Sequence, residues 1–219
     1  MQKINNALWD NAMSYETYWS FINQTLQARL NASAPQPTYA EAMLHYIQLN
    51  AVRMARLDKT IELTETAEAL LQQLKQPVAW LVITEPWCGD AAQSVPALQK
   101  IAAASPLIAL RFILRDQHLD IMDVFLTNGA RSIPKVLIIS TKTLEVLGTW
   151  GPRPAALQNI ALPLIEAMKA QPDAALRAQQ YEALKIEAQR WYNRNKTFDT
   201  QQEILRATLA ALPLVAASA

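Results

Sequence analysis

One short segment, Trp87-Cys88-Gly89-Asp90, brings together residue types that do chemistry. It follows an apolar run of strand length, residues 78–83, and precedes a helical pattern over residues 90–104 that Pro96 interrupts. A cysteine between strand and helix meets the unpaired N–H groups and the positive dipole end of the helix. Both favour a thiolate, the nucleophile of disulfide exchange, so position alone suggests a reactive Cys88. Two carboxylates, Glu85 and Asp90, flank the thiol. Their charge opposes the dipole and raises a thiol pKa. Glu85 is either a local base or a solvated strand-end residue. Asp90 has the alternative role of a first-turn acid that favours its own helix.

The elements that position this segment follow from periodicity. Ser14 precedes Tyr15, Tyr18, Trp19, Ile22, Leu26 and Leu30, a stripe along one helical face. After a break at residues 32–37, Thr38 and Glu41 are spaced as a capping box. The helix that follows carries Met43, Leu44, Ile47, Val52, Met54 and Leu57, and Thr64 caps another that runs to Leu74. The continuous apolar run at residues 78–83 predicts a strand buried on both faces. Residues 107–114 predict a second strand, and residues 119–127 a helix stopped at Asn128-Gly129. Residues 136–139 predict a third strand and residues 144–150 a fourth, with Thr141-Lys142-Thr143 short enough for a hairpin. This order implies a mixed sheet, with parallel strands joined by helical crossovers and then an antiparallel hairpin. Beyond Pro154 the helical pattern returns. Leu176, Tyr181, Leu184, Ala188 and Trp191 share a face of a helix over residues 172–192. A last helix covers residues 200–212, and the tail from Pro213 is expected to fray.

Composition narrows the function classes. The chain has 219 residues, 51% hydrophobic and 18% charged, enough to bury a sizeable core. Its formal charge of +1 argues against a nucleic-acid binder, which needs a basic surplus. Four glycines disfavour an all-β protein, and no glycine-rich phosphate loop occurs. One cysteine excludes an intramolecular disulfide framework and suits a reducing compartment. With only His45 and His118, a Cys/His zinc cage cannot be assembled, so no metal is expected. Residues 1–14 lack a basic and apolar leader pattern, and no apolar run reaches about 18 residues. A soluble, cytoplasmic, helix-rich protein without a membrane partner is expected.

Three marks together resemble the thioredoxin superfamily. Trp87-Cys88-Gly89 matches the start of its Trp-Cys-Gly-Pro-Cys motif after the first core strand. Pro96 lies eight residues after Cys88, where the family's helix-kinking proline falls. Arg131-Ser132-Ile133-Pro134 looks like the family's segment leading into its cis-proline. The resemblance covers residues 78–170. It implies a thioredoxin-like three-layer α/β/α core with a mixed sheet over residues 76–170. A helical N-terminal extension (1–75) and C-terminal helices (171–219) would pack on it. The flanking segments look like a bacterial thioredoxin-like branch with added helices.

The departures from the motif shape the functional expectation. The family's resolving cysteine falls on Ala91 and its buried acid on Val82. Cys88 therefore cannot close an internal disulfide, and another thiol must resolve any mixed disulfide. By resemblance, Ile133 before a cis Pro134 offers its backbone to an extended substrate. Trp150, Gly151 and Arg153 would then sit on the groove rim opposite Trp87 and Gly89. Arg131, Lys135 and Arg153 could grip the carboxylates of a glutathione-like thiol. Arg53, Arg56, Asp58 and Lys59 form a solvated or salt-bridged helix face, or one arginine reaches the cysteine groove. The resulting expectation is monothiol exchange on a protein disulfide or small-thiol mixed disulfide. It needs no cofactor beyond a low-molecular-weight thiol as co-substrate. The alternatives are a non-catalytic binding module and a redox sensor that oxidises through Cys88 into an intermolecular disulfide, changing the oligomer.

Overall fold

The computed structural model describes residues 2–30 and 39–212. At its centre runs β1 (Val78–Thr84), all seven residues of which are buried. It pairs in parallel with β2 (Ile108–Leu114), Val82 opposite Phe112. Its other side pairs antiparallel with β3 (Lys135–Ser140), Val82 opposite Val136. β4 (Val146–Trp150) closes the far side of β3, giving the order β2-β1-β3-β4. A central strand with no polar alternation must be covered on both faces. Helices supply that cover, and the protein has the expected three-layer, thioredoxin-like α/β architecture with added helices.

Before the sheet come α1 (Asn6–Asn11), α2 (Tyr15–Leu30), α3 (Tyr39–Thr60) and α4 (Glu65–Leu71). The Thr64 hydroxyl accepts from the Ala67 amide, as its capping role predicts, and the Ser14 hydroxyl accepts from the Thr17 amide in the same way. The Thr38 and Glu41 capping box lies outside the described residues, as does the tail from Pro213. On α2, Tyr15 and Tyr18 enter the core, and Tyr18 stacks on Phe112 with ring centroids 5.3 Å apart. Between β1 and β2 lies α5 (Gly89–Ala103). After β4 come α7 (Ala155–Ala170), α8 (Ala174–Asn195) and α9 (Phe198–Ala211).

The helix expected over residues 119–127 is only α6 (Leu119–Met122). Asn128 and Gly129 both take positive φ, 50° and 73°, and Thr127 and Ala130 exchange backbone hydrogen bonds across them. An Asn-Gly pair in that geometry closes a two-residue turn, which pulls the preceding residues out of the helix. With one helical turn instead of a crossover, the chain returns antiparallel to β1. β4 starts at Val146, two residues later than expected, because Leu144 adopts a left-handed φ of 57° in the connection. The expected apolar stripe of α8 is split. Leu184 is buried, whereas Leu176 and Tyr181 are exposed.

Residues 2–13 border the sheet. Lys3 bridges Glu145 at the β4 side, with Ile4 N–H donating to the Leu144 carbonyl. Met13 exchanges both backbone bonds with Phe112 of β2, each 2.9 Å. α1, capped by Asn5, carries the chain from one edge to the other.

Trp80, wholly buried on β1, donates its indole N–H to Thr208 Oγ1 of α9 at 3.0 Å. Thr208→Val keeps the side-chain shape and orphans that donor. A buried unpaired donor costs about 1–3 kcal/mol. The urea midpoint is therefore expected to fall at unchanged m-value, and an unchanged midpoint would show that the bond contributes nothing.

Candidate active site

β1 ends at Thr84, and Glu85-Pro86-Trp87 turns the chain into α5. Cys88 N–H donates to the Glu85 carbonyl at 3.0 Å and tightens this turn. Cys88 is the N-cap of α5, and its Sγ accepts from the Ala91 amide at 3.5 Å, as a capping serine oxygen would. The thiol donates to the Ile133 carbonyl at 3.3 Å. The sulfur thus bridges the first turn of α5 and the residue before Pro134, and the Ile133–Pro134 peptide is cis. Ile133's carbonyl, expected to face a substrate, holds the thiol.

Cys88 is only 8% exposed. Burial pushes its thiol up to about 12, and the Asp90 charge adds to this. The amides of Ala91 and Asp90, together with Arg153, pull the other way. Withdrawal from water, which the motif does not reveal, therefore outweighs the helix start. Between the helix start that favours a thiolate and the carboxylate charge that opposes it, burial and Asp90 prevail, and the resting sulfur is held as a thiol.

Asp90 is fully engaged. Its Oδ2 pairs with Arg153 at 2.8 Å, and its Oδ1 accepts from the Tyr192 hydroxyl of α8 at 3.0 Å. Gln93 Nε2 donates to Gln189 Oε1 at 2.9 Å, so α8 is laid over the start of α5 by polar bonds. Glu85 does not reach the thiol by any hydrogen bond. Its Oε1 accepts from the Asp116 amide at 2.9 Å, tying the end of β1 to the turn after β2. Burial raises the Glu85 carboxyl pKa and the Asp116 amide partly offsets this.

The three cations expected to form one carboxylate grip have separate partners. Arg131 makes an exposed two-pronged pair with Asp123, at 2.6 and 2.8 Å. Lys135 is buried and donates to Thr127 Oγ1 at 2.6 Å, and burial lowers its pKa. Arg153 already holds Asp90. Trp150 is not on a groove rim. Its position opposite Val136 in β4 turns it inward, where it is 7% exposed and donates to Glu203 of α9 at 3.1 Å. Gly151 does border the segment around Pro134. Its φ is +105°, and a Cβ there would collide with the Pro134 carbonyl oxygen. Trp87 lies under the guanidinium of Arg115, 4.7 Å from its ring centroid. Gly89 has Arg53 Nη1 3.9 Å from its would-be Cβ.

Sequence reasoning missed Asn50 and Tyr192 as neighbours of this site. Asn50 lies three residues after Ile47 and four before Met54, so it interrupts a buried stripe, and a buried polar group needs a partner. That partner is the Pro86 carbonyl, 3.0 Å away. Tyr192 sits one position off the stripe and carried no such signal. Among the described residues no group of three His, Cys, Asp or Glu converges as a metal site.

The sequence profile of the thioredoxin family matches residues 36–177. The chain belongs to the thioredoxin family. That match begins ahead of α3 and so takes in α3 and α4 as well as the sheet. No curated protein matches the chain. Among solved structures, a Pseudomonas aeruginosa protein of unknown function is similar at 20% identity and a TM-score of 0.53, covering 81% of this chain and 100% of its own. An HIV epitope-scaffold is similar at 19% identity and a TM-score of 0.51, covering 80% and 100%. At these identities both show a shared fold alone.

Proposed function

We propose that this thioredoxin-family protein carries out monothiol thiol–disulfide exchange at Cys88, resolved by an external thiol. The observation that carries the reading is the placement of the single cysteine. Its sulfur caps α5 and faces the carbonyl of Ile133 beside Pro134, and Ala91 stands where a second thiol would be. In the first step the Cys88 sulfur attacks one sulfur of a mixed disulfide. The substrate S–S bond breaks, a Cys88 mixed disulfide forms, and the departing thiolate takes up the proton that Cys88 gives up. A second small thiol then attacks the adduct, restores Cys88 and leaves as a new disulfide. Electrons balance between the two disulfides, and no redox cofactor takes part.

A protonated, buried thiol must be uncovered to react. Tyr192 and Gln189 of α8 are the groups laid across the start of α5, so movement of α8 away from Asp90 and Gln93 is the opening that exchange requires. Asp90 and Arg153 act as positioning residues. Glu85 fixes the turn after β2. A reducing cytoplasm suits this chemistry, because it keeps a lone thiol reduced and supplies the resolving thiol. Among the described residues no helix is long and apolar enough to cross a membrane.

The burial of Cys88 favours a second reading, a peptide-binding module in which the thiol is structural. Incubation with glutathione disulfide across a pH series, followed by intact mass, separates the two. The exchange reading expects a single adduct that free thiol reverses and that Cys88→Ser abolishes. No adduct at any pH up to 9, with partner binding retained in Cys88→Ser, would leave the binding module.

A further inference from the structure

We propose that Arg53 recognises an anion beside Cys88, so that the small thiol exchanged there is a carboxylate-bearing one. The proposal rests on the exchange reading above and names its substrate class. Arg53 lies on α3, and its Nη1 donates to Asn50 Oδ1 at 3.0 Å. Asn50 in turn donates from Nδ2 to the Pro86 carbonyl at 3.0 Å, so one side chain clamps both the guanidinium and the cysteine loop. The same Nη1 stands 3.9 Å from the would-be Cβ of Gly89, next in sequence to Cys88.

What sets Arg53 apart is the lack of a carboxylate partner. Among the arginines around the site, Arg153 pairs with Asp90, Arg115 with Asp116 and Arg131 with Asp123, while Lys185 pairs with Glu182 and the buried Lys135 donates to neutral oxygens of Thr127 and Gly151. Among the described residues no carboxylate lies within ion-pair distance of Arg53. It is half-buried, and burial, with the charge of Arg56 one turn along, works against its own charge. Arg56 is exposed and has only a neutral amide, Asn193 Oδ1 at 3.3 Å. Two guanidiniums one helical turn apart, with amide partners only, repel each other and gain nothing in folding. A carboxylate between them relieves both and accepts from planar, fork-shaped donors. Strained charge of this kind collects at functional sites.

The test compares three disulfides as probes at low salt. Glutathione disulfide carries carboxylates, hydroxyethyl disulfide is neutral and cystamine is cationic. Rates of Cys88 adduct formation are divided by the rates for a free cysteine peptide, which removes intrinsic reactivity. The wild type is expected to prefer glutathione disulfide over the neutral probe and to disfavour cystamine. Arg53→Gln is expected to cut that preference about tenfold, the loss of one charge-assisted contact. Arg206→Gln, which removes an exposed arginine of α9, should keep the preference. If Arg53→Gln folds poorly by circular dichroism, Arg53→Lys replaces it, keeping charge while losing the fork. An unchanged preference in the Arg53 variant overturns the proposal. If none of the probes reacts, the exchange reading fails by itself, and the anion site is judged by binding. S-methylglutathione titrated onto Cys88→Ser should bind about tenfold more tightly than onto Cys88→Ser with Arg53→Gln. Equal affinity, or no binding to either, overturns it.

Discussion

Iodoacetamide should alkylate Cys88 about a thousandfold more slowly than a free cysteine at pH 7. The rate should climb tenfold per pH unit up to pH 10 without bending. A free thiol titrates near 8.5. Burial, aided by the Asp90 charge, raises Cys88 to about 12, so the thiolate fraction stays small and grows with every unit of pH. The sign follows directly: a raised thiol pKa removes the nucleophile at neutral pH and returns it only in alkali. Asp90→Asn deletes the nearby negative charge and leaves Arg153 unopposed beside the sulfur. Both changes lower the thiol pKa, and one unit is a tenfold faster alkylation at pH 7, roughly 1.4 kcal/mol. Tyr192→Phe removes the bond from α8 while keeping all charges. A faster rate there would assign the protection to the cover, and an unchanged rate would assign it to charge. A wild-type profile that bends near 8.5 would show that the resting sulfur is solvated, contrary to its burial.

Gly151→Ala should be the most damaging small substitution near the site. At φ +105° any side chain is strained, and here its Cβ would run into the Pro134 carbonyl oxygen, a backbone atom that cannot swing aside. Strain and overpacking together should cost about 3 kcal/mol or more. For a chain of this size that is a fall in Tm on the order of 10 °C. The same collision pushes on the segment that holds the thiol's acceptor, Ile133. The folded fraction of Gly151→Ala should therefore alkylate Cys88 faster than wild type at neutral pH. Gly129, with a positive φ of 73° and open space around it, is the comparison. Gly129→Ala should lose only about 1–2 kcal/mol. Equal melting temperatures for the two variants would reject the packing argument at Gly151.

The core was legible because its signals are local. The unbroken apolar run at residues 78–83 has the length and composition of a strand covered on both faces, and it is that strand, with Cys88 following it into a helix. Thr64 announced its helix through a hydroxyl that reaches only three residues along. What escaped depends on distant partners. Nothing near Arg153 tells that Asp90, 63 positions earlier, occupies it. Nothing near Asp90 tells that Tyr192 of α8, about a hundred residues later, donates to it beside the thiol. The Asn128-Gly129 pair was a local signal with two meanings, helix stop and turn, and the turn prevailed. Trp150 fell on the wrong side of the groove because inward and outward alternate along a strand, and its indole had a carboxylate waiting on α9.

The bordering of the sheet by residues 2–13 has a bearing on synthesis. Those residues leave the ribosome well before Phe112 and Glu145, the positions they must clip. Until both are made, residues 2–13 keep unclaimed the backbone donors and acceptors that will pair with the sheet, and other nascent chains can capture them. The window closes only when Glu145 has emerged. A bulky fusion ahead of Gln2, whose carbonyl accepts from Val146, would hold that window open, and lower soluble yield would be its visible result.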